Sequence, residues 1–294
     1  MSAAENAIPH YLIERLDELP TLPTIVYELS RVINDPMSST SDVEKILSND
    51  QSLTTKVLRL ANSAYYAIPG GVSNLQRAIA YIGYDVIHQL VLSASIIQAL
   101  DAKASEFFDL NQFWKHSIGV AMAAEVTAKY LQFPTPADLF TCGLVHDMGK
   151  IAFYILDSEK FFDLIRVAEE NNLSLDEAET EFGYTKHTGL GKELAQKWRL
   201  PFLIQASIAH HHHRNFSDRD SLSSEMNYMV DIVYLANLLI NALEFGNSGH
   251  KKILGVPKDV VERVRLNPAK LKELIGNVRT AIQSADSFLK IIGG

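Results

Sequence analysis

Apolar residues recur three and four positions apart along almost the whole chain, and alternating β-branched runs are scarce, so the pattern predicts an all-α protein. Ser41 with Glu44 reads as a capping box ahead of Ile46 and Leu47, and Ser174 with Glu177 as a second. At Thr135, Pro136 and Asp138 stand a hydroxyl cap, a proline whose missing N–H costs nothing in a first turn, and an acid at the positive helix end. Together they predict a helix that contains His146. Gly83, Gly183 and Gly246 each follow an apolar-periodic stretch, where a left-handed C-terminal cap is needed. The most apolar stretch, Val86 to Leu100, is interrupted by His88, Gln89, Ser93 and Ser95 and reads as a buried helix rather than a membrane span. From Asn267 onward, Leu271, Leu274, Val278, Ala281, Ala285, Phe288 and Ile292 follow a heptad spacing. A long helix packed on its own domain is the favoured reading; an intermolecular seam, giving a homodimer, is the other.

Composition narrows the classes. The chain has 294 residues, 47% hydrophobic and 21% charged, which is a globular balance and excludes disorder. Its 35 acidic residues outnumber 27 basic ones for a net charge of −8, which argues against coating nucleic acid or an anionic membrane. The lone Cys142 can form neither an internal disulfide nor a cysteine metal cage. A reducing cytoplasm fits that cysteine usage, and no basic-then-apolar leader is read at the start of the sequence. Three regions are expected: 1–104 with short helices and few chemical groups, 105–250 with eight of the ten histidines, and C-terminal helices over 251–294. No receiver or other input domain is recognisable, so input is expected from a separate protein or a small ligand.

The sharpest local signal is GLVHDMGK, which sets His146 beside Asp147 after an apolar run. Successive helical side chains diverge by about 100°, so the pair can flank one metal, or the carboxylate can bridge two ions while the imidazole binds one. The plainer reading is a histidine satisfied by a backbone carbonyl and an aspartate serving a helix end. His116 lies on an apolar-periodic stretch, His187 precedes TGLGKELAQKW, and His210 to His213 form a run of four. An all-α bundle can point such residues from separate helices at one interior site. A nitrogen-rich set with a carboxylate suits iron, manganese or zinc better than calcium or magnesium. Other motifs fall away. GLGK at Gly189 to Lys192 lacks the earlier glycine of a phosphate loop, and Cys142, one turn before His146, reads as a buried spectator. Leu75 to Leu92 has a helix-turn-helix outline but Arg77 as its only basic residue, so no nucleic-acid partner is expected.

The order His116, His146-Asp147, His187 and a double histidine resembles the HD superfamily of metal-dependent phosphohydrolases, in its HD-GYP-like branch. LPTLPTIVYELSRVINDP, VEKILSNDQSL, KVLRLANSAYY and LQRAIAYIGYDVIHQLVL are similar to the HDOD family, the HD-related output domain of bacterial signalling proteins, over residues 15 to 250. The resemblance implies an HD-like helical bundle with an N-terminal helical subdomain. It also implies one or two divalent transition-metal ions, iron or manganese first and zinc second. His116 matches the family's first histidine, His146 with Asp147 its HD pair, and His187 the histidine after the central linker. WRLP, Trp198 to Pro201, places the double histidine at His211 and His212, leaving His210 and His213 as neighbours. Lys150 matches the lysine that lies near the substrate phosphate in active relatives, so Asp147 and Lys150 are the implied catalytic pair.

Two positions depart from the pattern. The last metal ligand of active relatives is an aspartate, but LANLL puts the neutral, weaker donor Asn237 there. Asp231, six residues earlier and about 240° round the helix, is a poor stand-in. RNFSDRD occupies the place of a GYP segment, so cleavage of cyclic di-GMP is not implied. The expected function is a signalling output module with a retained metal site, with a metal-dependent phosphohydrolase as the alternative. The expected partner is a signalling protein or a small phosphorylated ligand, with no membrane.

Overall fold

In chain order the helices are α1 (His10–Arg15), α2 (Thr24–Ile33), α3 (Thr40–Leu47), α4 (Gln51–Ala61), α5 (Leu75–Ala99), α6 (Leu110–Tyr130), α7 (Pro136–Val145), α8 (Met148–Leu156), α9 (Ser158–Glu170), α10 (Leu175–Phe182), α11 (His187–Lys197), α12 (Phe202–His210), α13 (Ser224–Ala242), α14 (Lys258–Arg263), α15 (Pro268–Ile282) and α16 (Ala285–Ile292). This computed structural model describes residues 8–33, 35, 37–250 and 252–292, and among them there is no strand. The all-α expectation holds. The chain divides into two compact units. One joins the described residues up to Pro20 to Ala102–Thr280; the other joins Thr21–Asp101 to the described residues from Ala281 onward.

The smaller unit is built on α4 and α5, with α2, α3 and α16 packed against them. Asp50 caps α4 by accepting from the Leu53 N–H at 2.9 Å, and Asn74 caps α5 through the Arg77 N–H at 2.9 Å. Asn62, in the RLANSAYY stretch, pins the loop between them: its amide donates to the Val72 carbonyl at 2.8 Å and accepts from the Val72 N–H at 2.6 Å. The capping box of α3 lies earlier than the sequence suggests. It uses Ser39 and Asp42, not Ser41 and Glu44, because the helix already begins at Thr40 and Ser41 lies inside it. Gly83 sits at φ 83°, ψ 167°, so it kinks α5 between two helical runs instead of capping one in the αL region.

The larger unit surrounds α6. Phe113, Trp114, Ile118, Val120 to Ala124 and Ala128 bury this helix on nearly every side, and α7 and α13 are its main neighbours. Asp109 starts it by accepting from the Asn111 and Gln112 N–H groups at 2.9 and 3.1 Å. Pro136 opens α7 as expected, but that helix ends at Val145 with His146 as its cap, so His146 stands at a helix junction and not within a helix. The Ser174 and Glu177 capping box opens α10, and Gly183 closes it in the αL conformation. Helices α8 and α11 cross closely at Gly149, where a Cβ would overlap the His187 carbonyl oxygen.

The C-terminal stripe is not one helix. Turn residues 283 and 284 separate α15 from α16, and the Ser284 hydroxyl donates to the Ala281 carbonyl at 2.8 Å, a local bond that competes with helix continuation. Leu274, Val278, Ala285 and Phe288 are buried within the chain and Leu271 and Ala281 are half-buried; the Ile292 side chain lies outside the described residues. Leu75–Ala99 and Pro136–Leu156 are long and apolar enough to cross a membrane, but they are 56% and 94% buried, and the second is broken at the His146–Asp147 junction.

Candidate metal centre

The apolar run Leu139, Phe140, Cys142, Leu144 and Val145 drives α7 into the interior, and the chain turns there from α7 into α8. His146 caps the first helix and Asp147 precedes the second, so both side chains are delivered to a site with no solvent exposure. The His146 Nδ1–H donates to the Gly143 carbonyl at 2.7 Å, which leaves Nε2 as a lone pair turned inward. That Nε2 and the Asp147 Oδ1 are buried and meet no hydrogen-bond partner among the described residues. The plainer reading, a histidine satisfied by a backbone carbonyl, therefore describes only one of its two nitrogens.

Two groups of ligand atoms meet at Asp147. Asp147 with His187, His211 and His212 forms one, and His116, His146 and Asp147 the other; within each the atoms lie within 4.8 Å of one another. On one side, Asp147 Oδ1 stands 3.3 Å from His187 Nε2 and 3.2 Å from His211 Nε2. On the other, Oδ2 stands 3.2 Å from His146 Nε2 and accepts from the Lys150 ammonium at 2.7 Å. A carboxylate with a separate imidazole set at each oxygen can bridge two ions.

The supporting contacts fix which nitrogen faces inward. His211 donates from Nδ1 to the Ile208 carbonyl at 2.9 Å. His187 Nδ1 is held by Glu179 at 2.7 and 2.9 Å from the two carboxylate oxygens, the arrangement that orients metal-bound imidazoles. The Nε2 atoms of His187, His211 and His212 consequently crowd together, with His187 3.5 Å from His211 and 3.2 Å from His212. Inward lone pairs at that spacing repel unless a cation or a proton lies among them. Burial holds His116 and His212 well below the ordinary histidine range and His211 down to about 4, so these imidazoles are neutral donors. Burial opposes charge on His187 as well, but Glu179 and Asp147 overcome it and raise it to about 9. Burial would also raise Asp147, yet His146 and Lys150 hold it well below the usual carboxylate range. A buried, ionised carboxylate with the neutral imidazoles of His116, His211 and His212 around it fits a divalent metal ion.

Asn237 is at the edge of the set. Its Oδ1 lies 3.1 Å from His116 Nε2 and accepts from the Asn241 amide at 2.9 Å. Asp231 is committed elsewhere: it is buried between Arg219, at 2.7 Å, and Arg263, at 2.8 Å. His210 and His213 pair with each other through their Nδ1 atoms at 3.0 Å and belong to neither ligand group. Lys150 is buried and reaches Ser248 Oγ at 3.2 Å as well as Asp147. Burial pushes the Cys142 thiol up to about 12, in keeping with a spectator.

Sequence reasoning did not single out Glu179, Ser248, His250 or Arg219. A signal for Glu179 was present. It falls on the same face as Leu175 and Ala178 in a short amphipathic helix, a carboxylate where an apolar residue is due.

The profile of the HDOD domain matches residues 19–214. A crystal structure of an HDOD domain protein of unknown function from Geobacter sulfurreducens has a TM-score of 0.80 and 24% identity, covering 94% of this chain and 97% of its own. A protein from Shewanella amazonensis SB2B, whose description offers phosphohydrolase as a candidate activity, has a TM-score of 0.72 and 22% identity, covering 96% of this chain and 98% of its own. At these identities the likeness is one of fold. An uncharacterized protein of Treponema pallidum (strain Nichols) is 25% identical over 245 residues, 82% of this chain; the match spans 46% of that relative's length.

Proposed function

The chain belongs to the HDOD family, and from that premise we propose that it is a cytoplasmic signalling output module whose helical core holds one or two divalent transition-metal ions as a site for a small phosphorylated ligand. Iron or manganese suits the imidazole-rich set best, with zinc next. The observation that carries the reading is Asp147, buried, with each carboxylate oxygen facing a different set of imidazole nitrogens. A neutral Asn237 where active relatives of the resembled superfamily have a carboxylate puts ligand sensing, and contact with a signalling protein, ahead of turnover. Metal analysis of protein purified without chelators tests it. One to two equivalents in the native chain and a loss in His146→Ala are expected, and metal content near zero in the native chain defeats the reading.

A second reading, metal-dependent phosphohydrolysis, is favoured by Lys150. Its ammonium is buried 2.7 Å from Asp147 Oδ2, where it can hold a phosphoryl oxygen beside that carboxylate. The metal, when bound, supplies a water of lowered pKa and polarises the phosphoryl group. Asp147 and the imidazoles orient that centre, and the closed helical packing around it excludes bulk water. Hydrolysis of an activated phosphodiester that disappears in His146→Ala would put this reading first.

A further inference from the structure

A cavity of about 290 Å³ lies beside the centre, lined by Asn241, Glu244, Asn247, His250, Lys252 and Ile253. Two of its walls reach the ligand set. Asn241 hydrogen-bonds Asn237, which touches His116. His250 stands close enough to Lys150, Asp147 and His187 for their charges to act on it, and Ser248, two residues before it, accepts from Lys150. The His250 Nδ1 is buried and meets no hydrogen-bond partner among the described residues. Burial pushes this imidazole down to about 4 although a backbone hydrogen bond to Lys252 opposes it, so it is a neutral group whose open Nδ1 can take one hydrogen bond. Buried polar atoms in native proteins are nearly always satisfied, and one left open on a cavity wall points to a ligand or water there.

The lining is chemically lopsided. Lys252 is taken up by Glu177 at 2.7 Å, so its charge is already matched. Glu244 is exposed at the rim, and the amides of Asn241 and Asn247 with the one apolar side chain, Ile253, complete the wall. A rim carboxylate beside amides favours a group that donates hydrogen bonds and disfavours a second anion. The volume has room for roughly ten waters, enough for a short alcohol.

We propose that this cavity receives the alcohol portion of a small phosphate ester whose phosphoryl group lies at the metal centre, with His250 hydrogen-bonding the ester and Glu244 selecting alcohols that carry an ammonium or hydroxyl group. The assignment rests on the phosphorylated-ligand reading of the centre. It makes His250 and Glu244 ligand-binding residues.

The test is calorimetric titration of the full manganese-loaded chain with inorganic phosphate, ethyl phosphate and phosphoethanolamine. The two esters share the ethyl chain and differ by the terminal ammonium group. Binding of all three is expected, with phosphoethanolamine about tenfold tighter than ethyl phosphate, and with that gap falling to about twofold in Glu244→Gln. Glu244 is exposed, so its replacement leaves the fold intact. In ¹⁵N-histidine spectra of the chain loaded with diamagnetic zinc, the His250 ring should shift on adding phosphoethanolamine. Phosphate binding without any difference between the esters, or a gap that survives Glu244→Gln, overturns the pocket and leaves the centre's reading standing. Failure of inorganic phosphate to bind overturns both.

Discussion

Replacing Glu179 by Gln isolates one charge in the centre without changing its shape. Glu179 Oε1 accepts from both the His187 N–H, at 3.2 Å, and the His187 Nδ1–H, at 2.7 Å, and the amide oxygen of a glutamine can keep both bonds. What disappears is the negative charge behind the imidazole. With metal bound, that charge makes His187 a stronger donor, and loss of such a partner costs about 10- to 100-fold in metal affinity, or about 1.4 to 2.7 kcal/mol. Without metal, the same charge keeps a proton on His187 by raising it from 6.5 to about 9. By linkage, a folded-state value above the unfolded one stabilises fully below about 6.5, and the benefit fades as pH rises through about 9. The whole shift corresponds to about 3 kcal/mol at most, shared between Glu179 and Asp147.

Chelator competition and thermal melts of the metal-free protein read the two effects separately. Glu179→Gln is expected to bind metal at least tenfold more weakly, and its metal-free form to melt below native at pH 6 to 7 with the difference closing above pH 9. Unchanged metal affinity would refute the assignment of His187 as a ligand oriented by Glu179. A melting deficit that is the same at pH 6 and pH 10 would show that Glu179 acts by packing and not by charge.

One further substitution and one labelling experiment follow from the same geometry. Asn237→Asp sets a carboxylate 3.1 Å from His116, so it should tighten metal binding on the order of tenfold in chelator competition while lowering the melting temperature of the metal-free protein; unchanged affinity would place Asn237 outside the coordination sphere. Cys142, fully buried and raised to about 12, should resist alkylation by iodoacetamide at pH 8 in the folded chain and react once unfolded in urea, and rapid native-state labelling would contradict its spectator role.

How much of this was legible in the sequence depends on the range of the interaction. The helices were legible because amphipathic spacing is local, and so was the convergence of the histidines, once their order along the chain was matched to a known pattern. Cap positions were less so: Ser39 with Asp42 and Ser41 with Glu44 both satisfy the same spacing, and the choice between them depends on where α3 begins. The break between α15 and α16 was hidden because Ala285 and Phe288 stay in heptad step with Leu274 and Val278 across it. Least legible were the partners that orient the ligands, which come from distant helices and leave no periodic mark.

Arg219 shows what such partners do. It is fully buried and donates to the His213 carbonyl from both Nε, at 2.9 Å, and Nη2, at 2.6 Å, and to Asp231 at 2.7 Å. It thereby ties the loop that follows His211 and His212 to α13, the helix that carries Asn237. Arg263 binds the same Asp231 at 2.8 Å and the Arg214 carbonyl at 2.8 Å, so the end of α14 joins the clamp. Asp231 therefore serves outside the ligand set, receiving two guanidinium groups and fixing the register between the double histidine and α13. A buried carboxylate with two such partners is costly to break, because removing it strands charges that water cannot reach. The double histidine is thus tied to α13 by an ion cluster outside the ligand set, and that tie accounts for a buried arginine in RNFSDRD.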